Sequence, residues 1–296
     1  MRRGAVIING YPNGEKFFRQ GNRIAAALTK AGVETDVLKN GDVFVVLTET
    51  GEARPSLAKT YDFIVYLDKD KYLGELLESS GIRLFNSAKA VELCDDKMKT
   101  YLALSGKGIP LVETISAPLC YTPNASVNLA FLENAAKVLG FPLVAKKSYG
   151  SFGAGVRLIH GMPELKKIAQ EWLHEPHFFQ RFESESFGRD IRVIVIGGKA
   201  VAAMERVAQD GEFRSNVELG GVGRKVTVGE EYLRVAESAA TALGLDYCGV
   251  DLLKTGRDAV VCEVNSNAFF EGIEQVTGVD IAEAYAQHIL SMVEQS

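Results

Sequence analysis

The chain has 296 residues, of which 47% are apolar and 24% charged, and its 33 lysines and arginines against 38 aspartates and glutamates give a net charge of −5. A chain with this acidic balance does not attract phosphates in bulk, which argues against a general nucleic-acid or anionic-membrane binder. The apolar runs fall short of the ~18–20 residues that a membrane span needs, and residues 4–8 are too short for a signal-peptide core. These features predict a soluble, cytoplasmic protein with two ordinary domains or one large α/β domain.

The cysteines and histidines show no metal-binding pattern. Cys94, Cys120, Cys248 and Cys262 form no CxxC pair, and the four histidines form no HxxxH or HExxH pattern. Because zinc sites depend on such spacings, we do not expect one. Cys248 and Cys262 stand in apolar, strand-like runs, where a thiol behaves as a small core side chain.

Strand-like and helix-like segments alternate in the first part of the chain. We predict strands at residues 5–9, 33–38, 42–47 and 63–67, and a helix over residues 21–32 that ends at a glycine. Buried apolar strands that alternate with helices indicate a parallel sheet covered on both faces. Ligands of such sheets gather beyond the carboxyl ends of the strands, so the loops at residues 10–14 and 68–71 are candidate substrate surfaces, although ordinary solvated turns fit them equally well.

From about residue 110 the pattern changes, and later strands are of antiparallel style. Asn86 and Ser87 are expected to cap a helix that runs into residues 95–99, and a second helix ends at residues 106–110. Further strands are predicted at residues 112–116, 143–147, 156–160, 177–182, 192–196, 200–206, 225–228, 247–253 and 259–264, with helices over residues 129–139 and 164–173.

A glycine-rich segment joins two of these strands. Lys146 and Lys147 end the first strand, and Gly150, Gly153 and Gly155 follow before the second strand begins. Glycines let successive backbone N–H groups turn towards the oxygens of a polyphosphate, and a lysine at the strand end adds positive charge. The segment matches neither GxxxxGK[ST] nor the dinucleotide-binding fingerprint, so a phosphate-binding loop and a plain flexible hairpin both stay open.

Two strands around residues 254–258 carry a second candidate site. Glu263 and Asn265 are two residues apart and so face the same side of their strand. With a three-residue turn centred on Arg257, Asp251 lies directly opposite Glu263 in the hairpin. Two opposed carboxylates among apolar residues repel each other unless a cation lies between them, and oxygen ligands of this kind suit Mg²⁺ or Mn²⁺. A solvated strand face is the alternative.

Arginines accompany these strands. Arg192 falls within a strand, and Arg214 lies in the polar segment at residues 213–216. Guanidinium groups bind carboxylates and phosphoryl groups through paired hydrogen bonds, although a single arginine more often forms a surface salt bridge. Together with Asn216 and the carboxylate pair, they suggest a site for phosphoryl transfer.

Taken in order, these segments resemble the ATP-grasp superfamily, and specifically its RimK-type glutamate ligases. The resemblance runs from about residue 86 to the C-terminus, some 70% of the chain, while the first ~85 residues are similar to the family in layout alone. The matching stretches are Asp96-Lys97, residues 142–146 with 150–156, residues 188–192, residues 213–216 with Gly220-Gly221, residues 249–251 with 263–265, and residues 271–274.

The resemblance implies an α/β (α+β) ATP-grasp fold in which two α+β subdomains hold ATP, preceded by an N-terminal parallel α/β domain. The implied boundaries are residues 1–90, 91–183 and 184–296. ATP would phosphorylate a carboxylate and an amine would attack the acyl phosphate. Positioning and charge neutralisation would then do most of the catalytic work, without a covalent nucleophile.

The resemblance also implies roles for individual residues. Lys97, Lys146 and the lid residues Gly150, Ser151 and Gly153 would contact ATP, with Gln180, Arg181 and Phe182 beside the adenine, Asp190 at the ribose, and Arg214, Ser215 and Asn216 at the phosphates. Arg192, Arg214 and Asn216 would act at the transferring phosphoryl group, and Asp251, Glu263 and Asn265 would hold two Mg²⁺ or Mn²⁺ ions.

Two positions depart from the family pattern. Arg181 stands where the family usually has a glutamate, and arginine cannot accept a hydrogen bond from the adenine amino group. The segment at residues 266–270 replaces the small-residue and proline turn of the ribosomal-protein ligases, and it is more similar to relatives that modify other acceptors.

We therefore expect an ATP-dependent carboxylate–amine ligase that adds L-glutamate or a similar amino acid to a peptide, a protein C-terminus or a small acidic metabolite. A dipeptide-ligase type of ATP-grasp enzyme and a non-catalytic nucleotide-binding regulator are the alternatives. The complete set of Asp251, Glu263 and Asn265 with both lysines argues against the regulator. The resemblance further implies a homo-oligomer, without a bulk nucleic-acid or membrane partner.

Overall fold

The computed structural model describes residues 2–11, 15–209, 211–216, 220–256 and 258–295. Of the loops considered above, residues 12–14 and Arg257 lie outside this part of the chain. Among the described helices, none combines the length and the apolar character required to cross a bilayer.

Within the described residues the chain forms nine α-helices and fifteen β-strands. The helices are α1 (Glu15–Lys30), α2 (Lys71–Ser79), α3 (Ala88–Asp95), α4 (Lys97–Leu104), α5 (Leu129–Leu139), α6 (Met162–Glu171), α7 (Glu230–Leu243), α8 (Glu271–Thr277) and α9 (Ile281–Glu294). The strands are β1 (Arg3–Ile8), β2 (Glu34–Lys39), β3 (Val45–Leu47), β4 (Ala53–Pro55), β5 (Phe63–Leu67), β6 (Arg83–Phe85), β7 (Thr114–Ser116), β8 (Leu143–Lys147), β9 (Val156–Ile159), β10 (His177–Arg181), β11 (Arg189–Ile196), β12 (Lys199–Val207), β13 (Val222–Lys225), β14 (Tyr247–Thr255) and β15 (Asp258–Asn265).

The N-terminal part is a parallel sheet with the strand order β2-β1-β5-β6. Side chains of α1 and α9 pack on one face of β1 and β5, and side chains of α2 pack on the other. All five residues of β5 are buried because both faces are covered. The parallel sheet predicted for this region is confirmed, except that the strand predicted at residues 42–47 is shorter and pairs antiparallel with β4 outside this sheet. The parallel sheet places Asn9 and Asp68 at the carboxyl ends of neighbouring strands.

The helix that we expected to run into residues 95–99 is interrupted at Asp96. Ser87 caps α3 as predicted, since its hydroxyl accepts a hydrogen bond from the first turn of that helix at 3.3 Å. Asp96 has an extended backbone, and its carboxylate accepts bonds from the N–H groups of Met98 and Lys99 at 3.0 and 3.1 Å. This N-cap ends one helix and begins the next.

Asn86 does not share the capping role of Ser87. Its buried amide donates to the carbonyl oxygens of Tyr247 and Ser266 at 2.8 and 3.0 Å, and it accepts from the N–H groups of Asp246 and Tyr247 at 2.7 and 3.0 Å. The residue ties the N-terminal sheet to the start of β14 and to the segment after β15.

The central part is an antiparallel sheet with the order β7-β10-β8-β9. Alternate residues of β8 point to opposite faces. Leu143 and Ala145 pack against α5 and α6, whereas Val144 and Lys146 face the candidate site.

The C-terminal part is a five-stranded antiparallel sheet with the order β13-β12-β11-β14-β15. Asp251 pairs with Glu263 across the hairpin, as predicted. The prediction of a three-residue turn is wrong, since Thr255 pairs with Asp258. A β-bulge between Asp251 and Leu252 then shifts the register and restores the predicted pairing of Asp251 with Glu263. The bulge thus cancels the error in the turn.

The sequence patterns do not predict the helices α2, α7, α8 and α9. Three of them, α7, α8 and α9, complete the C-terminal part. α7 packs against β11, β14 and β15, while α8 and α9 join the N-terminal and C-terminal sheets in one apolar cluster. The mixed α/β architecture is confirmed. The division at residues 90 and 183 stays a prediction, and its first boundary falls inside α3.

Candidate active site

The glycine-rich segment forms a loop over a cleft between the central and C-terminal sheets. Gly150 and Gly153 have φ angles of 126° and 72°, which residues with a side chain rarely adopt. Lys97 Nζ donates to the carbonyl oxygen of Gly150 at 2.6 Å, and Arg214 donates to that of Gly153 at 2.8 Å. Cationic side chains from both sides of the cleft therefore hold the loop.

A first cavity lies beneath this loop and contains most of the predicted nucleotide-binding residues. Those that line it are Lys97, Lys146, Gly150, Gly153, Gln180, Arg181, Phe182, Asp190, Arg214, Ser215 and Asn216, together with Asp251 and Glu263 of the predicted metal set. Ser151, Arg192 and Asn265 line a second, adjoining cavity.

The end of β10 forms one wall of the first cavity. Gln180 Nε2 donates to Thr114 Oγ1 at 2.8 Å, whereas the exposed guanidinium of Arg181 pairs with Glu113. Glu183 also lines the cavity, and burial raises the pKa of its carboxyl group. The Glu183 carboxylate is a hydrogen-bond acceptor in this wall, whereas the Arg181 guanidinium can only donate. Sequence reasoning missed Glu183, although it directly follows the predicted strand.

Two aspartates and two arginines form a buried network behind the first cavity. Arg192 donates to both carboxylate oxygens of Asp251, with Nη2 at 2.7 Å from Oδ2. Arg206 Nη2 lies 2.8 Å from the same oxygen, and Arg206 also donates to Asp190 through Nε at 2.8 Å and Nη2 at 2.5 Å. The hydroxyl of Ser215 adds a bond to Asp190 at 2.5 Å.

The charges in this network balance one another. Asp251 is only 3% exposed, and although burial alone would raise the pKa of its carboxyl group, Arg192 and Arg206 lower it. The carboxylates predicted to contact ribose and metal are thus already bonded within the protein. Arg206 was not among the predicted site residues, although strand alternation in β12 places it on the same buried face as Met204.

Glu263 is the more open carboxylate of the predicted metal set. Its side chain is 28% exposed, it lines both cavities, and Lys97 Nζ lies 3.5 Å from Oε1. Asn265 Nδ2 lies 3.4 Å from Asp251 Oδ2, which leaves the amide oxygen of Asn265 for another partner. Carboxylate and amide oxygens fit a hard divalent cation.

A metal ion at this place would need ligands from outside the chain. In the described ranges, no group of three His, Cys, Asp or Glu side chains is arranged to hold a metal. Asp251 offers few free lone pairs because two arginines use its oxygens. The donor set therefore fits Mg²⁺ or Mn²⁺ that keeps phosphate oxygens and waters as its remaining ligands.

Lys146 brings a positive charge into the first cavity. Its Nζ lies 3.5 Å from Cys262 Sγ. Burial raises the pKa of the Cys262 thiol, which is therefore neutral at ordinary pH and gives the lysine no counter-charge.

The segment after β12 carries a further ion pair, between Arg214 and Glu212. Arg214 donates through Nε and Nη2 to the carboxylate oxygens of Glu212 at 3.0 and 2.9 Å. The side-chain hydrogen bonds from Arg214 lower the pKa of Glu212 to about 2. This pair orients the guanidinium towards the loop carbonyl of Gly153.

The second cavity has a volume of about 580 Å³, within the range of small-molecule sites. Arg206, Asn216 and Glu263 line both cavities, so the two are joined. Its other walls come from three parts of the chain. The N-terminal part contributes Asn9, Lys16, Phe17, Asp68 and Lys69, the glycine-rich loop contributes Ser151 and Phe152, and β11, β15 and the segment after β15 contribute Arg192, Asn265, Asn267 and Phe269.

The N-terminal part also holds the glycine-rich loop in place. Lys69 Nζ lies 3.1 Å from Ser151 Oγ. Lys16 Nζ lies over the rings of Phe152 and Phe269, at 4.3 and 4.6 Å from their centroids. The loop therefore covers the second cavity as well as the first, and the predicted substrate loop at residues 68–71 reaches the site.

Comparison with known proteins identifies the family to which the chain belongs. The family model described as the RimK-like ATP-grasp domain matches residues 94–289. The chain belongs to the RimK-like ATP-grasp family. It is 36% identical over 231 residues to β-citrylglutamate synthase B of Danio rerio, which covers 77% of this RimK-like chain and 56% of the relative.

Other relatives of this RimK-like protein agree in family and fold. It is 37% identical over 221 residues to a probable α-L-glutamate ligase of Thioalkalivibrio sulfidiphilus (strain HL-EbGR7), which covers 74% of this chain and 69% of the relative. The crystal structure of D-alanine–D-alanine ligase from Bacillus anthracis superposes with a TM-score of 0.73 at 20% identity, over 100% of this chain and 98% of that one. The predicted family and ATP-grasp fold are confirmed. The RimK-like chain spans little more than half the length of β-citrylglutamate synthase B.

Proposed function

We propose that this RimK-like chain is an ATP-dependent, ADP-forming ligase that joins a carboxylate to the amine of an amino acid, L-glutamate being the expected amine. The observation that carries the proposal is the pair of adjoining cavities, one under the glycine-rich loop and lined by Lys97 and Lys146 among other residues, and one lined by residues of both charges. They meet at Arg206, Asn216 and Glu263, where a phosphoryl group can pass from a nucleotide to a second substrate.

We assign the triphosphate of ATP to the cationic end of the first cavity. Lys97, Lys146 and Arg214 bring positive charge there, and the glycine-rich loop offers backbone N–H groups. Because Lys97 and Arg214 also hold the carbonyl groups of the loop, phosphate binding and loop position are coupled. Ser215 and Asn216 complete this end as polar groups, and Ser151 of the glycine-rich loop lies in the adjoining second cavity.

The adenosine end is assigned to the wall formed by β10. In this proposal the adenine lies beside Gln180, Arg181 and Phe182. Its amino group donates hydrogen bonds to backbone groups and to the Glu183 carboxylate. Asp190 is placed near the ribose, in the orientation that Arg206 and Ser215 impose on it.

We propose that Glu263, Asn265 and Asp251 hold Mg²⁺ or Mn²⁺ ions. A bound divalent cation neutralises charge on the phosphate oxygens. The two arginines that lower the pKa of Asp251 keep this carboxylate ionised at neutral pH. Arg192, Arg214 and Asn216 then stabilise the negative charge that develops on the transferring phosphoryl group.

The second cavity is proposed to bind the acid and the amino acid. Both β-citrylglutamate synthase B and the probable α-L-glutamate ligase carry glutamate in their names, which supports L-glutamate as the amine. The acid would be a peptide, a protein C-terminus or a small acidic metabolite. Acyl transfer from an acyl phosphate to the amine then forms the amide bond and releases phosphate.

The test is a reaction panel with the purified chain, ATP and Mg²⁺. Each standard amino acid is combined with citrate, with N-acetylaspartate or with a peptide that ends in glutamate, while ADP release and product mass are measured. We expect ADP release that requires both an acid and one amino acid, and a product heavier by that amino acid minus water. EDTA should abolish the reaction, and excess Mg²⁺ should restore it.

The same panel separates the alternatives. A product made from two amino acids without any acid would indicate the dipeptide-ligase type. ATP binding by calorimetry without turnover on any pair would favour the regulator, and the absence of ATP binding would contradict both proposals.

A further inference from the structure

Three polar side chains meet on the wall of the second cavity where the N-terminal sheet and the segment after β15 come together. Asn9 follows β1, Asp68 follows β5, and Asn267 follows β15. Asn9 Nδ2 donates to Asp68 Oδ1 at 3.0 Å, and Asn267 Nδ2 donates to the backbone oxygen of Asp68 at 3.0 Å. The carboxyl ends of two parallel strands and the end of the hairpin are thereby joined at one place.

The two carboxylate oxygens of Asp68 have very different surroundings. Oδ1 accepts bonds from Asn9 and from the backbone N–H groups of Lys69 and Asp70, at 3.0, 2.6 and 3.4 Å. Oδ2 is buried and accepts no hydrogen bond from the described residues, and the whole residue is only 2% exposed. The turn after β5 therefore accounts for one oxygen and leaves the other without a donor.

Asn267 shows the same imbalance. Its amide oxygen Oδ1 is buried and has no donor within the part of the chain that the structure describes. Turning the amide over would not resolve this, because the oxygen would then face the carbonyl oxygen of Asp68, to which Nδ2 now donates. Buried acceptors without donors cost free energy, so two of them on linked side chains in a cavity wall indicate that a ligand supplies the donors.

The required ligand carries positive charge and several N–H groups. Asp68 contributes a negative charge, and the nearby Lys69 is directed elsewhere, with Nζ 2.8 Å from Asp95 Oδ1 and 3.1 Å from Ser151 Oγ. An ammonium group has three donors and one positive charge, which matches a carboxylate oxygen and an amide oxygen together.

From this geometry we infer that Asp68 Oδ2 and Asn267 Oδ1 bind the ammonium group of the amino-acid substrate in the second cavity. The inference rests on the proposed ligase function and deepens it, since it names the group by which the amine substrate is recognised. Asp68 is a binding residue in this account and is not the group that takes the proton from the amine.

Asp68→Asn tests the inference, with Asp62→Asn as its matched control. Asp62 and Asp68 are adjacent to the two ends of β5, and Asp62 accepts a bond from the backbone of Arg3 at the opposite end from the cavity. The amino acid that supports ADP release is used as substrate. We expect its KM to rise at least tenfold in Asp68→Asn and to change less than twofold in Asp62→Asn, while the KM for ATP is unchanged in both.

Hydroxylamine separates binding of the amine from the rest of the reaction. It is uncharged at neutral pH, and it attacks an acyl phosphate to give a hydroxamate and phosphate. Asp68→Asn should form hydroxamate from the acid at a rate within twofold of the unaltered chain. An equal loss of both reactions would show that Asp68 merely supports the fold, and an unchanged KM for the amino acid would overturn the inference directly.

A third measurement needs no variant. The amino acid is compared with its deaminated analogue, glutarate in the case of L-glutamate, as ligands of the unaltered chain with ATP and Mg²⁺. We expect at least tenfold weaker binding of the analogue, and equal binding would overturn the inference. If the unaltered chain forms neither amide nor hydroxamate, the proposed ligase function itself is contradicted. That outcome differs from the results above, which contradict only the role of Asp68 and Asn267.

Discussion

Two clusters of buried side-chain oxygens at the site differ in their hydrogen bonds. Asp190 and Asp251 sit behind the first cavity, where arginines and a serine hydroxyl donate to all of their carboxylate oxygens. Asp68 and Asn267 sit in the wall of the second cavity, and each has a buried oxygen to which no group in the described ranges donates. All four residues follow or lie within strands whose side chains reach the cavities.

The difference separates a scaffold from a binding surface. A buried network in which every group is bonded becomes rigid and costs little further reorganisation when a ligand arrives. A buried acceptor without a donor is costly in the empty protein, and a ligand that supplies the donor relieves that cost. We therefore expect substitutions in the first cluster to affect stability most, and substitutions in the second to affect substrate binding most.

The largest effect is expected when the first cluster is broken. Asp251→Asn removes the charge that two buried guanidinium groups share, and leaving such groups unpaired typically costs about 3–5 kcal/mol. Urea denaturation followed by circular dichroism measures this loss of unfolding free energy. Asp62→Asn serves as the control and should change it by no more than about 0.5 kcal/mol. A loss below about 1 kcal/mol for Asp251→Asn would mean that the network is not a stabilising scaffold.

The next largest effect concerns the lysine that joins the glycine-rich loop to the metal set. Lys97→Met removes a bond to the Gly150 carbonyl and a cation 3.5 Å from Glu263. Hydrogen bonds of charged groups contribute about 1.5–3 kcal/mol, so ATP should bind at least about tenfold more weakly by calorimetry. Lys99→Met is the matched control, since Lys99 lies on the same helix, pairs with Glu92 and does not line the cavity. Equal effects of the two variants would contradict the assignment of Lys97 to the phosphates.

A smaller effect on stability is expected in the second cluster. Asp68→Asn keeps an oxygen that can accept the three bonds now made to Oδ1, and it removes an oxygen that has no donor. The unfolding free energy should therefore change by no more than about 1 kcal/mol, in contrast to Asp251→Asn. A loss as large as that of Asp251→Asn would erase the distinction between the two clusters.

The smallest effect is a dependence of stability on acid pH. The pKa of Glu212 is lowered by the side-chain hydrogen bonds from Arg214, from 4.5 to about 2. A lowered carboxyl pKa adds stability above its unfolded value, and that stability is lost as the pH falls from about 4.5 towards about 2. The unaltered chain should thus lose more unfolding free energy than Glu212→Gln over this window, and the two should converge at its lower end. Parallel curves for the two proteins would show that the pair contributes nothing.

The sequence predicts the regular parts of the fold well because their patterns are local. The strands at residues 63–67 and 143–147 are predicted from neighbouring residues alone, and both are found in the structure. The pairing of Asp251 with Glu263 is also correct, although it depends on a bulge that cancels an error in the turn. Such compensation cannot be read from strand periodicity.

The missed features depend on contacts between distant parts of the chain. Arg206 is central to the buried network because β11 and β14 place Asp190 and Asp251 next to it. The residues that flank Arg206 in the sequence do not predict these contacts. Asp68 and Asn267 are 199 positions apart and meet only when the N-terminal and C-terminal sheets pack together. The sequence predicted the loop at residues 68–71 as a possible ligand surface, but an oxygen without a donor becomes visible only once all of its neighbours are placed.

The central claim is that the chain activates a carboxylate by phosphorylation and passes it to an amine. The most direct test uses an acid labelled with ¹⁸O in its carboxylate, together with ATP, Mg²⁺ and the amino acid that supports ADP release. We predict that the released phosphate carries one ¹⁸O atom and that the product contains the acid and the amino acid joined with loss of water. Amide formation with unlabelled phosphate would contradict the acyl-phosphate route, and ADP release without any amide would contradict the ligase itself.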